Sequence, residues 1–127
     1  MGFKIRGKFQ PKFGARHQRH VAGSMNKQES AYRQHLDAKK AAGEIIDFGF
    51  ETFKIRLADN TFYTPDFVVF AHDGLEFHEV KGIWRGQTKP HFEDDARVKI
   101  KVAAEQNPLC RFVAVYRLNG VWCEEEF

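Results

Sequence analysis

Between Asn26 and Gly43, Glu29, Tyr32 and Leu36 recur about one helical turn apart, which gives this segment one inward stripe. Asn26 with an acid three positions on is the capping-box pattern of a helix start, and Gly43 is a stop signal. A helix is therefore predicted from about Lys27 to Ala42. After Glu44 the period becomes two: in TFKIRL, Phe53, Ile55 and Leu57 fall on one face and Thr52, Lys54 and Arg56 on the other, as in a half-buried strand. Ala58-Asp59-Asn60 turns the chain into FYTPDFVVF, which should form a hairpin with that strand. Pro65 lacks an amide donor, so the ladder should break or bulge just before Asp66. Asp73-Gly74 then leads into a third strand, LEFHEVKG.

The segment IWRGQTKPHF has no regular period. Beyond it Phe92, Ala96, Ile100 and Ala103 share one face of a helix expected from about Glu93 to Gln106, with acids leading, lysines following and Asn107-Pro108 ending it. CRFVAVYRL, an Asn119-Gly120 turn and VWCEEEF complete the pattern. The expected fold class is α/β, ordered helix, three strands, helix, two strands. The helix between the third and fourth strands permits a parallel crossover, so the sheet should be mixed and flanked by helices.

A chain of 127 residues, 43% hydrophobic and with thirteen Phe, can build one core but not two. The net charge of +3 is small, yet its distribution is uneven. No Asp or Glu precedes Glu29, whereas Lys4, Arg6, Lys8, Lys12, Arg16, Arg19 and Lys27 do, interleaved with Phe3, Phe9 and Phe13. Residues 1–25 therefore read as a flexible basic arm preceding a domain over 26–127. The arm could be only a solubilising tail, but its cations suit phosphates and its Phe rings suit unpaired bases, which favours nucleic acid as partner. Cys110 and Cys123 are too few for a disulfide framework and lack metal-ligand spacing. No apolar run approaches the length of a membrane span, and no signal-like segment opens the chain, so a cytoplasmic protein is expected.

The chemistry concentrates in TPDFVVFAHDGLEFHEVKG, Thr64 to Gly82. Alternation along the third strand sends Glu79 and Lys81 the same way as Leu75 and Phe77, and His78 and Val80 the other way. If the neighbouring strand brings Asp66 alongside Glu79, two carboxylates converge, which is unfavourable without a cation between them. Oxygen ligands select hard ions, and Mg²⁺ needs only one or two carboxylates while keeping waters and room for a phosphate; Mn²⁺ is the natural substitute. With Lys81 to orient a water and meet charge on phosphorus, this outlines a phosphodiester-cleaving site.

Pro65-Asp66, twelve intervening residues and Glu79-Val80-Lys81 together resemble the PD-(D/E)xK signature of the restriction-endonuclease-like nuclease superfamily. The surrounding sequence, roughly Asn26 to Leu118, is similar to an uncharacterised phage and prophage branch of that superfamily, and to phage Holliday-junction-resolving endonucleases. The resemblance implies an α-β-β-β-α-β core, Asp66 and Glu79 as metal ligands, the Val80 carbonyl as a further ligand and Lys81 as the catalytic lysine. It also implies an acid from the first helix, here Glu29, acting directly or through water. Branched or structured DNA as substrate, a homodimer and the cytoplasm of a bacterial host are further implications.

Each of these residues has a plainer reading. Glu29 could be only the acid of a capping box, Asp66 an Asx turn, and Glu79 with Lys81 a same-face ion pair. Their joint occurrence in this order favours one active site, while the alternative is a DNA-binding module with a nuclease-like fold and little catalysis. Arg85 and Lys89 follow the motif and are expected to help bind DNA. Trp84 either packs beneath that loop or wedges against DNA, and Lys99 either snorkels to solvent or serves as an auxiliary at the scissile phosphate. The six histidines form no cluster with metal spacing.

Overall fold

A computed structural model of the chain describes residues 23–127. The arm residues Lys4, Arg6, Lys8, Lys12, Arg16 and Arg19, with the DNA contacts expected of them, lie outside the described residues.

The first helix, α1, spans Lys27–Ala41. Its capping box is complete: the Glu29 amide donates to Asn26 Oδ1 at 2.8 Å and the Asn26 amide donates to Glu29 Oε1 at 2.9 Å. Two otherwise orphaned helix-end donors are thereby satisfied. Gly43, with φ of 74°, ends the helix in a conformation that other residues avoid, and its amide donates to the Lys40 carbonyl. Glu29, Tyr32 and Leu36 are all buried, as the one-turn spacing predicts.

Seven strands follow in chain order: β1 (Asp47–Phe50), β2 (Ile55–Ala58), β3 (Thr61–Tyr63), β4 (Phe67–Ala71), β5 (Gly74–Val80), β6 (Arg111–Leu118) and β7 (Val121–Glu126). The second helix, α2 (Asp94–Gln106), lies between β5 and β6. The main sheet has the order β1-β4-β5-β6-β7. β5 and β6 are parallel, through the crossover made by α2, and every other pair is antiparallel. The described residues thus form an α/β fold with a mixed five-stranded sheet and two helices.

The strands between the helices differ from expectation, with five where three were expected. TFKIRL does not open the main sheet: Ile55–Ala58 pairs only with Thr61–Tyr63 in a two-stranded ribbon against α2. The place beside β4 belongs to Asp47–Phe50, with Phe50 opposite Phe67. Ile46, Phe48 and Phe50 do alternate with Asp47, Gly49 and Glu51, but over so short a run that TFKIRL carries the stronger period. Pro65 then divides FYTPDFVVF into β3 and β4, so its first half turns away into the ribbon while its second half enters the sheet.

The helices cover opposite faces. On the α1 side Tyr32, Leu36, Phe67, Val69, Val113 and Val115 form one apolar cluster, and on the α2 side Val68, Phe77, Ile100, Ala103 and Phe112 form another. β6 is buried on both faces at its centre, as a strand beside a parallel neighbour should be. The closing hairpin turns at Asn119 and Gly120, both with positive φ, which brings Leu118 opposite Val121. Glu124 and Glu126 on β7 flank Arg111 at 2.6 and 3.5 Å, and Glu125 pairs with Arg97 at 2.6 Å. The acidic chain end is therefore a paired edge strand.

Candidate active site

The candidate site lies where β4 begins and β5 ends. Phe67 opposite His78 is the last pair of their ladder, and continuing that register by one residue sets Asp66 against Glu79. The next amide of β5, on Val80, would look for a backbone carbonyl on β4. It finds Asp66 Oδ2 at 2.8 Å instead, so the Asp66 side chain takes over the ladder where Pro65 breaks the strand. A residue's N–H and C=O point to the same edge of a strand, so the Val80 carbonyl also faces the Asp66 side. The Lys81 amide faces the other edge and donates to the Val115 carbonyl at 2.9 Å. Asp66 is pinned through its own carbonyl as well, which accepts from the Glu51 amide at 2.8 Å.

Glu79 is held from several sides. Its Oε2 accepts the Tyr63 hydroxyl at 2.6 Å, its Oε1 lies 3.5 Å from Lys81 Nζ, and the Asp66 amide supports it further. Tyr63 is a member of the site that the sequence did not suggest; its only signal is its position three residues before Asp66 in FYTPD. Lys81 Nζ also lies 5.5 Å from the Phe92 ring centroid.

The electrostatics follow from burial. Asp66 is pushed well above the usual carboxylate range, first by desolvation, then by the Glu79 charge and by Glu29, against the Val80 amide, which pulls it down. Glu79 is also raised by desolvation, with Lys81 and the Tyr63 hydroxyl opposing. Burial and the neighbouring Glu79 raise the Tyr63 phenol, so it stays a donor. Two carboxyls thus share a desolvated corner with one lysine beside them, a strained charge balance that an added cation relieves.

Glu29, 4% exposed, interacts with Asp66 while its Oε1 serves its own helix cap. The capping role expected as an alternative is therefore real, and it coexists with proximity to the acids. Among the described residues no group of three or more acidic, His or Cys side chains is arranged to hold a metal. Asp66, Glu79 and the Val80 carbonyl are the oxygens of this corner that a cation could meet.

The remaining candidates divide around this corner. Lys99 opens onto a cavity of about 280 Å³ that Glu79, Tyr63 and Thr64 also line, and it pairs with Asp95 at 3.5 Å. Its side chain is 39% exposed, so it borders the corner and also reaches solvent. Arg85 and Lys89 are exposed on the loop after Lys81, whose arms meet at an Ile83–Pro90 bridge. Trp84 does not pack beneath that loop: it is 62% exposed and stacks on His91 at 3.7 Å between centroids.

His78 points away from Asp66 and Glu79, as alternation predicts, and is 2% exposed. Its Nε2 lies 2.8 Å from Glu76 Oε1 and its Nδ1 lies 2.6 Å from the Tyr32 hydroxyl. A carboxylate only accepts, so the proton belongs on Nε2, and Nδ1 accepts from Tyr32. Hydrogen bonding to His78 and the nearby Arg111 hold the Glu76 carboxyl below its usual range. This network satisfies buried polar groups and contributes nothing to the acids of the site. No protein-family model, curated protein or solved structure matches the chain.

Proposed function

We propose that the protein is a Mg²⁺-dependent DNA endonuclease of the PD-(D/E)xK type, acting on branched or structured DNA. The observation that carries this reading is the pair of desolvated carboxyls, Asp66 and Glu79, set in register against each other with Lys81 alongside. Such a corner destabilises the fold unless it serves a ligand. The finer topology agrees with the proposal. Taken with the β2–β3 ribbon as an insertion and β7 as an addition, α1, β1, β4, β5, α2 and β6 follow the α-β-β-β-α-β order.

In this reading Asp66, Glu79 and the Val80 carbonyl would hold the cation, which when bound would supply positive charge to the phosphate and acidify a water. Lys81 orients the attacking water and meets the charge that grows on the phosphate oxygens. Tyr63 fixes Glu79 and favours its ionised form against burial, and the Val80 amide anchors Asp66. Lys99 is placed to neutralise a phosphate arriving over Glu79. Water attacks phosphorus in line, a new P–O bond forms as the bond to the sugar oxygen breaks, the water's proton passes to solvent, and the leaving sugar oxygen takes a proton from solvent.

Supercoiled plasmid and a four-way junction, incubated with protein in Mg²⁺ and in EDTA, test the proposal. Cleavage should require Mg²⁺ and fall by at least about 10²-fold in Lys81→Ala and Asp66→Ala proteins, the loss typical of removing one electrostatic contact to the transition state. Absence of Mg²⁺-dependent cleavage on every substrate, with DNA binding retained, favours a second reading: a DNA-binding module on a nuclease-like fold. The observation on that side is the Glu29 carboxyl, already engaged by its own helix cap.

A further inference from the structure

A second cavity, of about 380 Å³, opens beside Lys81. Its lining includes Lys27 from the start of α1, Gln28, Lys81, Arg117 from the end of β6 and Trp122 from β7. Three cations thus converge from three separate elements, and among the described residues no carboxylate lines the cavity. Among those residues neither Lys27 nor Arg117 has a carboxylate partner, although Arg33, Lys40, Arg97, Lys99 and Arg111 all do. The smaller cavity over Glu79 is the opposite case, lined by Glu79, Glu93 and Asp95 with one lysine. Charge is therefore segregated across the end of β5.

The walls are as specific as the charge. Trp122 is fixed from behind by Tyr32, whose ring meets it edge-on at 4.8 Å, and the Arg117 guanidinium stands 5.7 Å from its ring centroid. With the guanidinium over the indole, this wall is both cationic and aromatic, the chemistry on which bases stack. Gly82 packs against the Gln28 amide: a Cβ there would come within 2.9 Å of Gln28 Nε2, so any side chain would displace it. The ligand that matches is planar, polar at its edge and attached to phosphate.

We propose that this cavity holds an unpaired nucleotide of the substrate DNA strand next to the scissile phosphate. Its base lies on the Trp122–Arg117 wall, its edge meets the Gln28 amide, and its phosphate lies between Lys27 and Lys81. The inference rests on the nuclease reading, because Lys81 is what joins the cavity to the acids. It narrows the substrate to DNA with at least one base freed from pairing beside the cut, as at a branch, a flap or a single-strand junction. A continuous duplex cannot fill the cavity without unpairing a base, which costs a few kcal/mol.

The chain has two tryptophans, so the Trp84→Phe protein carries Trp122 as its sole indole. In that background and in EDTA, pentathymidylate should quench Trp122 emission, while an abasic strand with the same phosphates should not. Arg117→Gln and, separately, Lys27→Gln should each weaken pentathymidylate binding at least about fivefold, the lower end for removing one stacking or phosphate interaction. Lys27 is exposed on the first turn of α1, so its variant folds even if the Arg117 one does not. Absence of quenching, equal quenching by the abasic strand, or unchanged binding in the Lys27→Gln protein overturns the proposal. The two readings fail separately: Mg²⁺-dependent cleavage without Trp122 quenching removes the cavity alone, whereas quenching without cleavage on any substrate removes the nuclease.

Discussion

Replacing Asp66 by Asn should make the protein more stable and inactive at once. The folded-state carboxyl of Asp66 titrates well above its unfolded value of about 3.9, because burial, Glu79 and Glu29 all disfavour its charge. Between those two values the folded chain keeps a proton that the unfolded chain has released, so stability is full at low pH and falls as pH rises. Asn keeps an oxygen for the Val80 amide and removes the titration. One pH unit of displacement corresponds to about 1.4 kcal/mol, and after discounting for relaxation and water entry a gain of about 1–3 kcal/mol at neutral pH is expected. For a domain of this size that is a rise of roughly 3–5 °C in Tm per kcal/mol. Thermal unfolding of both proteins across a pH series measures it: the gap should nearly close below about pH 4 and widen towards neutrality. Excess Mg²⁺ should raise Tm in the wild type and not in the variant, narrowing the gap again. A variant that is less stable at neutral pH, or a gap that ignores pH, refutes the electrostatic account of this corner.

Three further substitutions or deletions separate the roles of neighbouring groups. Glu29→Gln keeps an acceptor for the Asn26 amide, so unfolding should shift by less than about 0.5 kcal/mol, while cleavage should drop at least tenfold if the charge on Glu29 matters; unchanged turnover leaves it a helix cap only. Tyr63→Phe removes the donor that holds Glu79 down, so the acid limb of the pH–rate profile should move upward, at a stability cost of about 1–2 kcal/mol; an unmoved limb argues against Glu79 as the ionised ligand. Deleting residues 1–22 should flatten the salt dependence of DNA binding by about 0.9 in log–log slope for each phosphate that the arm neutralises, and an identical slope means the arm does not touch the backbone.

What the sequence exposed was governed by local chemistry. Asn26 and Glu29 mark the start of α1 because a cap is decided within four residues, and Asn119-Gly120 marks the last hairpin for the same reason. Glu79 and Lys81 share a face because strand alternation allows nothing else, and Pro65 breaks the ladder because it has no proton to give. The strand that fills the sheet edge was hidden by competition: IDFGF is short and holds a glycine, while TFKIRL has the stronger period yet is diverted by the Pro65 break. Tyr63 could not be read as a partner of Glu79, since sixteen residues of chain separate them and only the fold closes that distance. The same holds for Lys27, which meets the cross-strand pair Arg117 and Trp122 only when α1 docks on the far strands. Glu124 and Glu126 look like an acidic tail until the β6–β7 register sets them beside Arg111.

The bond from the Val80 amide to Asp66 Oδ2 gives the sheet an internal reporter. A backbone proton normally hydrogen-bonds to a carbonyl whose charge never changes, but this one donates to a group that titrates. Its NMR chemical shift should therefore follow the protonation of Asp66, and should jump when a cation claims that carboxylate. Exchange of the same proton with solvent should slow in step. Occupancy of the site thus becomes measurable on a protein that is given no DNA to cut.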